Sequence, residues 1–164
     1  MVVVSNTSPL HYLIAVEHVH LLEKLFAKVY VPPSVVRELS HASTPPIVRD
    51  WILERPAWLA VQPLAQPLAA DLAVSLDLGE AEAIQLTEEK KADLLILDEW
   101  KGRVIAQGRG FALTGALGIL GIAYQKRMIE DPVGVLTAMR AKGFRIHDQL
   151  VVRFQSLLQT RYAR

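Results

Sequence analysis

The 164-residue chain has no cysteine. That absence excludes a disulfide scaffold, thiolate zinc sites, iron–sulfur clusters and a catalytic thiol, so any metal must be held by oxygen or imidazole. The chain also lacks the run of ~20 apolar residues that a bilayer-spanning helix needs. No basic residue precedes the apolar start of MVVVSNTSPL, which does not fit a signal peptide. The expectation is a cytoplasmic protein with no membrane partner. A glycine-rich loop ending in Lys-Ser/Thr and a glycine-rich dinucleotide fingerprint are both missing. So are internal repeats, low-complexity segments and any Pro/Gly/Ser linker long enough to separate two domains.

Hydrophobic residues make up 51% of the chain and charged residues 21%, which excludes a disordered or collagen-like polymer. The length suits one domain, with a core that removes ~70% of the unfolded chain's surface from water. The charges are segregated. Residues 1–99 carry 7 basic and 14 acidic side chains, and residues 100–164 carry 11 basic and 3 acidic. Such a split suits a protein that holds a cation and offers basic side chains to an anionic polymer; it equally suits two solvated faces that neutralise each other in the fold.

Short apolar runs without polar alternation occur at Val2 to Ser5, Lys28 to Val31, Leu94 to Leu97 and Phe111 to Leu113, the pattern of strands buried on both faces of a parallel sheet. Helical patterns lie between them. Ser8-Pro9 predicts an N-cap with proline at the first helical position, opening PLHYLIAV. EHVHLLEKLF, SVVREL and IVRDWILER follow, the last closed by Pro56, and further helices are expected over roughly 67–76 and 79–92. This order predicts an α/β fold with a central parallel sheet of about four to five strands between helical layers. From Gly115 to Gln159 the chain reads as mainly helical. There Gly115, Gly118 and Gly121 recur at spacing three, each costing ~1 kcal/mol against alanine in a helix. A close backbone approach would compensate, either within the chain or across a dimer contact.

Ligands of open parallel sheets bind beyond the carboxyl ends of the strands. VVVS delivers Asn6, then Thr7 and Ser8; LLIL delivers Asp98, then Glu99; SVVREL carries Glu38; LGEAEAIQL carries Glu80 and Glu82 at a helix start. Taken singly, each has a structural reading, such as interaction of Glu80 and Glu82 with a helix dipole or capping by Thr7 and Ser8. Carboxylates converging on one sheet edge would repel unless a divalent cation lay between them, and oxygen ligands without imidazole select Mg²⁺ or Mn²⁺. Such a site suits phosphodiester hydrolysis.

SNTSPL, PPSVVREL, LGEAEAIQL and LLILDEWKGRVIA, in this order, resemble the PIN domain, a metal-dependent nuclease fold that includes VapC-type toxins. The resemblance covers a PIN-like domain over 1–114. The tail over 115–164 is similar to a helical extension found on bacterial and archaeal PIN-like proteins, expected to pack on the same domain. The resemblance implies a three-layer PIN-like sandwich with Asn6, Glu38, Glu80 and Asp98 as catalytic and metal-binding residues. Thr7, Ser8, Glu82 and Glu99 would assist, and the cofactor would be Mg²⁺ or Mn²⁺. It further implies an RNA substrate, a homodimer and an antitoxin protein partner. In the family the first strand usually ends in Asp, and here the residue is Asn6.

Lys101, Arg103 and Arg109 follow Asp98 and are candidates for contacting RNA phosphates, with a solvated basic face as the other reading. His18 and His20 stand two apart and would point to different sides of a helix. His11, His41 and His147 are expected at the surface or behind the site, and Trp51, Trp58 and Trp100 in packing or an interface. Two functions follow: a metal-dependent endoribonuclease acting as the toxin of a toxin–antitoxin pair, or a catalytically weakened PIN-like module that binds nucleic acid or protein. Asn6 keeps the second open.

Overall fold

The computed structural model describes residues 1–163. Among them, strands β1 (Val3–Ser5), β2 (Val29–Val31), β3 (Leu59–Val61), β4 (Leu94–Ile96) and β5 (Leu113–Thr114) form one parallel sheet in the order β3-β2-β1-β4-β5. The helices are α1 (Thr7–Ala15), α2 (His20–Phe26), α3 (Pro33–Leu39), α4 (Pro46–Leu53), α5 (Ala70–Ser75), α6 (Leu78–Glu89), α7 (Trp100–Gly108), α8 (Ala116–Gln125), α9 (Pro132–Ala141) and α10 (Asp148–Gln159).

Three layers follow from strand alternation, because successive side chains leave a strand on opposite faces. Val3 packs into one apolar cluster with Leu10, Leu13, Leu21 and Val35 from α1, α2 and α3. Val4, its neighbour, packs into another with Leu72, Ile84 and Ala106 from α5, α6 and α7. Both valines are fully buried, which is why the first strand reads as an unbroken apolar run. The sheet order also fixes where a ligand could sit. From β1 the chain steps outward to β2 and β3, then returns to place β4 on β1's other side, making a topological switch point between β1 and β4. Their register pairs Ser5 with Ile96, and the Asn6 N–H donates to the Ile96 carbonyl at 3.0 Å.

Several local expectations are corrected. β3 is not anticipated by the hydrophobic pattern: it is a three-residue edge strand in which only Leu59 is buried. α1 begins at Thr7, directly off the strand, with Asn6 rather than Ser8 at the N-cap position and no side-chain capping bond. The helix expected over EHVHLLEKLF starts later, at His20, because Glu17 takes a φ of 60°. As a result His18 lies outside α2, and its ring comes within 5.8 Å of His20. No helix among the described residues is long and apolar enough to cross a membrane.

The tail forms α8, α9 and α10, and its buried residues Ile119, Leu120, Leu136, Met139, Phe144 and Phe154 belong to the same apolar cluster as Leu10 and Leu13. The glycine row is covered by the chain itself. A side chain at Gly115 would strike Asp98, one at Gly118 would strike Thr114, and one at Gly121 would come to 2.5 Å of the Tyr162 ring. The compensating close approach is therefore internal. Because the tail completes a shared core, Ile119→Ala, at a fully buried position, is expected to cost about 2–5 kcal/mol in a single cooperative urea transition. A separate early transition would show instead that the tail is an independent unit.

Candidate active site

The site grows from the switch point. β1 ends in Asn6, which is 3% exposed, and its Oδ1 is buried without a hydrogen-bond partner. β4 continues through Leu97 to Asp98, whose Oδ1 accepts from the Ala116 N–H at 2.9 Å while Oδ2 is buried and unpartnered. On α3, Glu38 receives the Thr7 hydroxyl and, at 3.1 Å, the Gly79 N–H. Glu80, on the first turn of α6, is 6% exposed and its Oε1 is likewise buried without a partner.

Each of these carboxylates lies against a glycine. A Cβ at Gly79 would sit 2.5 Å from Glu38 Oε2, and one at Gly102 would sit 2.9 Å from Glu80 Oε1. One at Gly115 would overlap Asp98 Oδ1. Two helices, and the residue that leads into a third, thus give up a side chain where an acid closes on the backbone, the close approach that only glycine permits.

Burial without compensation raises acid pKa values, since the charged form loses its water. Burial, then the neighbouring Asp77 and Glu99 carboxylates, push Glu80 from 4.5 up to about 7. Burial pushes Asp98 from 3.8 up to about 6, against the Ala116 N–H and the Arg103 guanidinium, which both favour its charged form. Glu99 adds to the repulsion on both.

Among the described residues no three His, Cys, Asp or Glu side chains are disposed to hold a metal ion. Glu38 is held by Thr7 and Gly79, and Asp98 by Ala116. Five side-chain oxygens are buried without a partner among the described residues, on Asn6, Ser34, Glu80, Glu82 and Asp98; of these, Asn6 and Asp98 follow the two central strands and Glu80 stands on the first turn of α6. In donor chemistry these three fit Mg²⁺ or Mn²⁺.

Two adjoining clefts open onto this edge. The first, of about 260 Å³, is lined by Asn6, Thr7, Ser8, His11, Glu38, Asp77 and Glu99 among others; the second, of about 190 Å³, by Ser8, Tyr12, Asp98, Glu99 and the turn Gly143 to Arg145. Ser8, Tyr12 and Glu99 line both, and Thr7 serves Glu38 rather than a helix cap. Neither Glu80 nor Glu82 lines either cleft; Glu82, ~200° around the helix from Glu80, also keeps a buried Oε2 without a partner. Arg103 donates to the Leu97 carbonyl at 2.6 Å beside Asp98, while Lys101 is exposed. Arg109 is not brought to the site: it pairs with Asp71 at 2.7 Å and with Glu88 at 3.0 Å, toward the far end of α6 from Glu80. His11 lines the first cleft, and burial lowers its pKa; His41 and His147 are exposed. Trp58 is buried against Trp51, but Trp100 packs little and is 79% exposed one residue beyond Glu99.

Sequence reasoning missed Asp77, Tyr12 and the 143–145 turn. Asp77 had a legible signal: Asp77-Leu-Gly-Glu80 is a capping pattern, and Asp77 Oδ1 does accept the Glu80 N–H at 3.0 Å. Tyr12 and the turn had none, since only tertiary packing brings residues 12 and 143 together.

A raised acid pKa means that the folded state holds its proton longer than the unfolded chain, so stability is lost as pH rises between the two values. For Asp98, raised from 3.8 to about 6, that loss reaches about 3 kcal/mol by neutral pH. In metal-free buffer, urea midpoints of the wild type are expected to fall from pH 4 to pH 7. Asp98→Asn should make the fall between pH 4 and 6 shallower and leave the part from Glu80, which runs from 4.5 to about 7. An unchanged slope in Asp98→Asn would mean that its carboxyl is well solvated.

A family model described as a PIN domain matches residues 2–160, so it spans the sheet, the acids and the helical tail alike. No curated protein and no solved structure gives a significant match. With the parallel five-stranded sheet, its helical layers and acids at the β1/β4 switch point, that match settles the family: the chain belongs to the PIN-domain family, a nuclease-type fold.

Proposed function

We propose that this PIN domain is a divalent-metal-dependent endoribonuclease that hydrolyses RNA phosphodiester bonds beside the switch point of its sheet. The observation that carries the reading is that Asn6, Glu80 and Asp98, three of the five residues with a buried unpartnered oxygen, stand at or next to the ends of β1 and β4 and the start of α6. Leaving such groups unmatched costs ~1–3 kcal/mol each, and a bound Mg²⁺ or Mn²⁺ would satisfy all three. Asn6, Glu80 and Asp98 would hold the ion, with Glu38 beside them. When bound, the ion would supply positive charge at the phosphoryl oxygen and acidify a water.

The chain's own residues do the rest. Glu80, its carboxyl pushed up to about 7, holds a proton at Oε1 or Oε2 near neutrality and gives it up when positive charge enters. The Ala116 N–H fixes Asp98, and the Arg103 charge favours its ionised form. Thr7 and Gly79 fix Glu38. Lys101 and Trp100, exposed beside Glu99, offer a cation and a ring face to a single strand. The VapC-type toxin role, the antitoxin partner and the homodimer belong to the same proposal and rest on the resemblance of the four ordered motifs.

Asn6 favours a second reading. An amide in place of a carboxylate removes one negative charge from the site, weakening the hold on a divalent ion, as in a module that binds nucleic acid without cutting it. Incubation of the purified chain with a mixed RNA pool separates the two. The nuclease reading expects defined products with Mn²⁺ or Mg²⁺ and none with EDTA, and Asn6→Asp should raise the rate by about tenfold or more, ~1.4 kcal/mol. Retention of RNA without cleavage by wild type and Asn6→Asp alike would select the binding module.

A further inference from the structure

The helical tail returns to the site through one turn. After α9 the chain takes a positive φ of 102° at Gly143, and the Tyr12 hydroxyl donates to the Gly143 carbonyl at 3.2 Å. Phe144, 7% exposed, meets the Tyr12 ring edge-on at 5.1 Å between centroids. These two contacts fasten the turn to α1 and make the next residue, Arg145, a wall of the cleft that also holds Asp98 and Glu99.

Arg145 is exposed, and no ion pair or hydrogen bond holds its guanidinium among the described residues. Arg103, by contrast, donates to the Leu97 carbonyl and lends its charge to Asp98, while Lys101 is exposed but has no planar fork. An arginine that shares a cleft with two carboxylates yet pairs with neither has its fork free for another anion. A polyanion approaching Asp98 and Glu99 meets repulsion that a cation on the opposite wall offsets, and a guanidinium matches a phosphodiester with two parallel N–H donors.

We propose that Arg145, held on the tail's Gly143–Phe144 turn, is a substrate-contact residue of this site: it grips a phosphate of a single-stranded RNA lying across Asp98 and Glu99. The tail is thereby part of the substrate site as well as of the core. The inference rests on the ribonuclease reading above, since it takes the RNA of that reading as its ligand.

Fluorescence anisotropy of a labelled twelve-nucleotide single-stranded RNA of mixed sequence, in EDTA so that no cleavage intervenes, tests it. Arg145→Ala is expected to weaken binding about tenfold and to reduce the slope of log K against log salt by about 0.7, one phosphate contact on a single strand. Arg145→Lys should recover the salt slope but only part of the affinity, because it restores the charge without the fork. Urea midpoints should match the wild type in both variants; if alanine disturbs the turn, Arg145→Gln keeps the stem and is measured in its place. RNA binding by the wild type that these changes leave untouched overturns the proposal and spares the nuclease reading. No RNA binding by the wild type, with or without Mn²⁺, overturns both.

Discussion

Buried carboxyl groups whose burial is only partly offset are what the rest of this structure is arranged around. Taking a carboxylate out of water is expensive unless a charge or several hydrogen bonds replace the solvent. Here Asp98 and Glu80 keep oxygens that neither replaces, and both carboxyls answer by holding their protons toward neutral pH. Such groups persist where function uses them. The glycines at 79, 102 and 115 are the backbone side of the same arrangement, because each lets an acid close to a distance that any side chain would forbid.

The apolar framework makes this tolerable. Val3 and Val4 anchor clusters on opposite faces of the sheet, so the switch point is held from both layers while it carries an unfavourable charge pattern. The tail contributes twice. Its helices complete the first cluster, and its Gly115 and Ala116 backbone receive Asp98. Its Phe144 reaches back to Tyr12 over the second cleft. A family match running from residue 2 to residue 160 accords with a tail that belongs to the same physical unit as the sheet.

Much of this was legible in the residues. The four apolar runs announced β1, β2, β4 and, within two residues, β5, because parallel strands buried on both faces carry no polar alternation to blur them. Asn6 and Asp98 were legible as residues at the carboxyl edge of the sheet, where each lines a cleft, because they directly follow two of those runs. β3 escaped because a half-exposed edge strand of three residues has too little apolar signal. Ser8 misled as a cap because tertiary contacts overrode local chemistry: the strand end is tied to Ile96 and the Thr7 hydroxyl to Glu38. Arg109 misled because proximity in sequence to Asp98 said nothing of Asp71 and Glu88, which claim it. Arg145 was invisible for the opposite reason, lying 47 positions beyond Asp98 until the fold brings the turn back.

The central claim is that the unpartnered oxygens of Asn6, Glu80 and Asp98 are a cation site. Calorimetric titration of the metal-free wild type with Mn²⁺ at pH 6, in two buffers of different ionisation enthalpy, tests it most directly. One ion per chain should bind, with heats that differ between the buffers because the raised Glu80 and Asp98 carboxyls release protons on binding, and Glu80→Gln should abolish the binding. Absence of any binding heat at millimolar Mn²⁺, or binding that survives Glu80→Gln without proton release, would contradict the account.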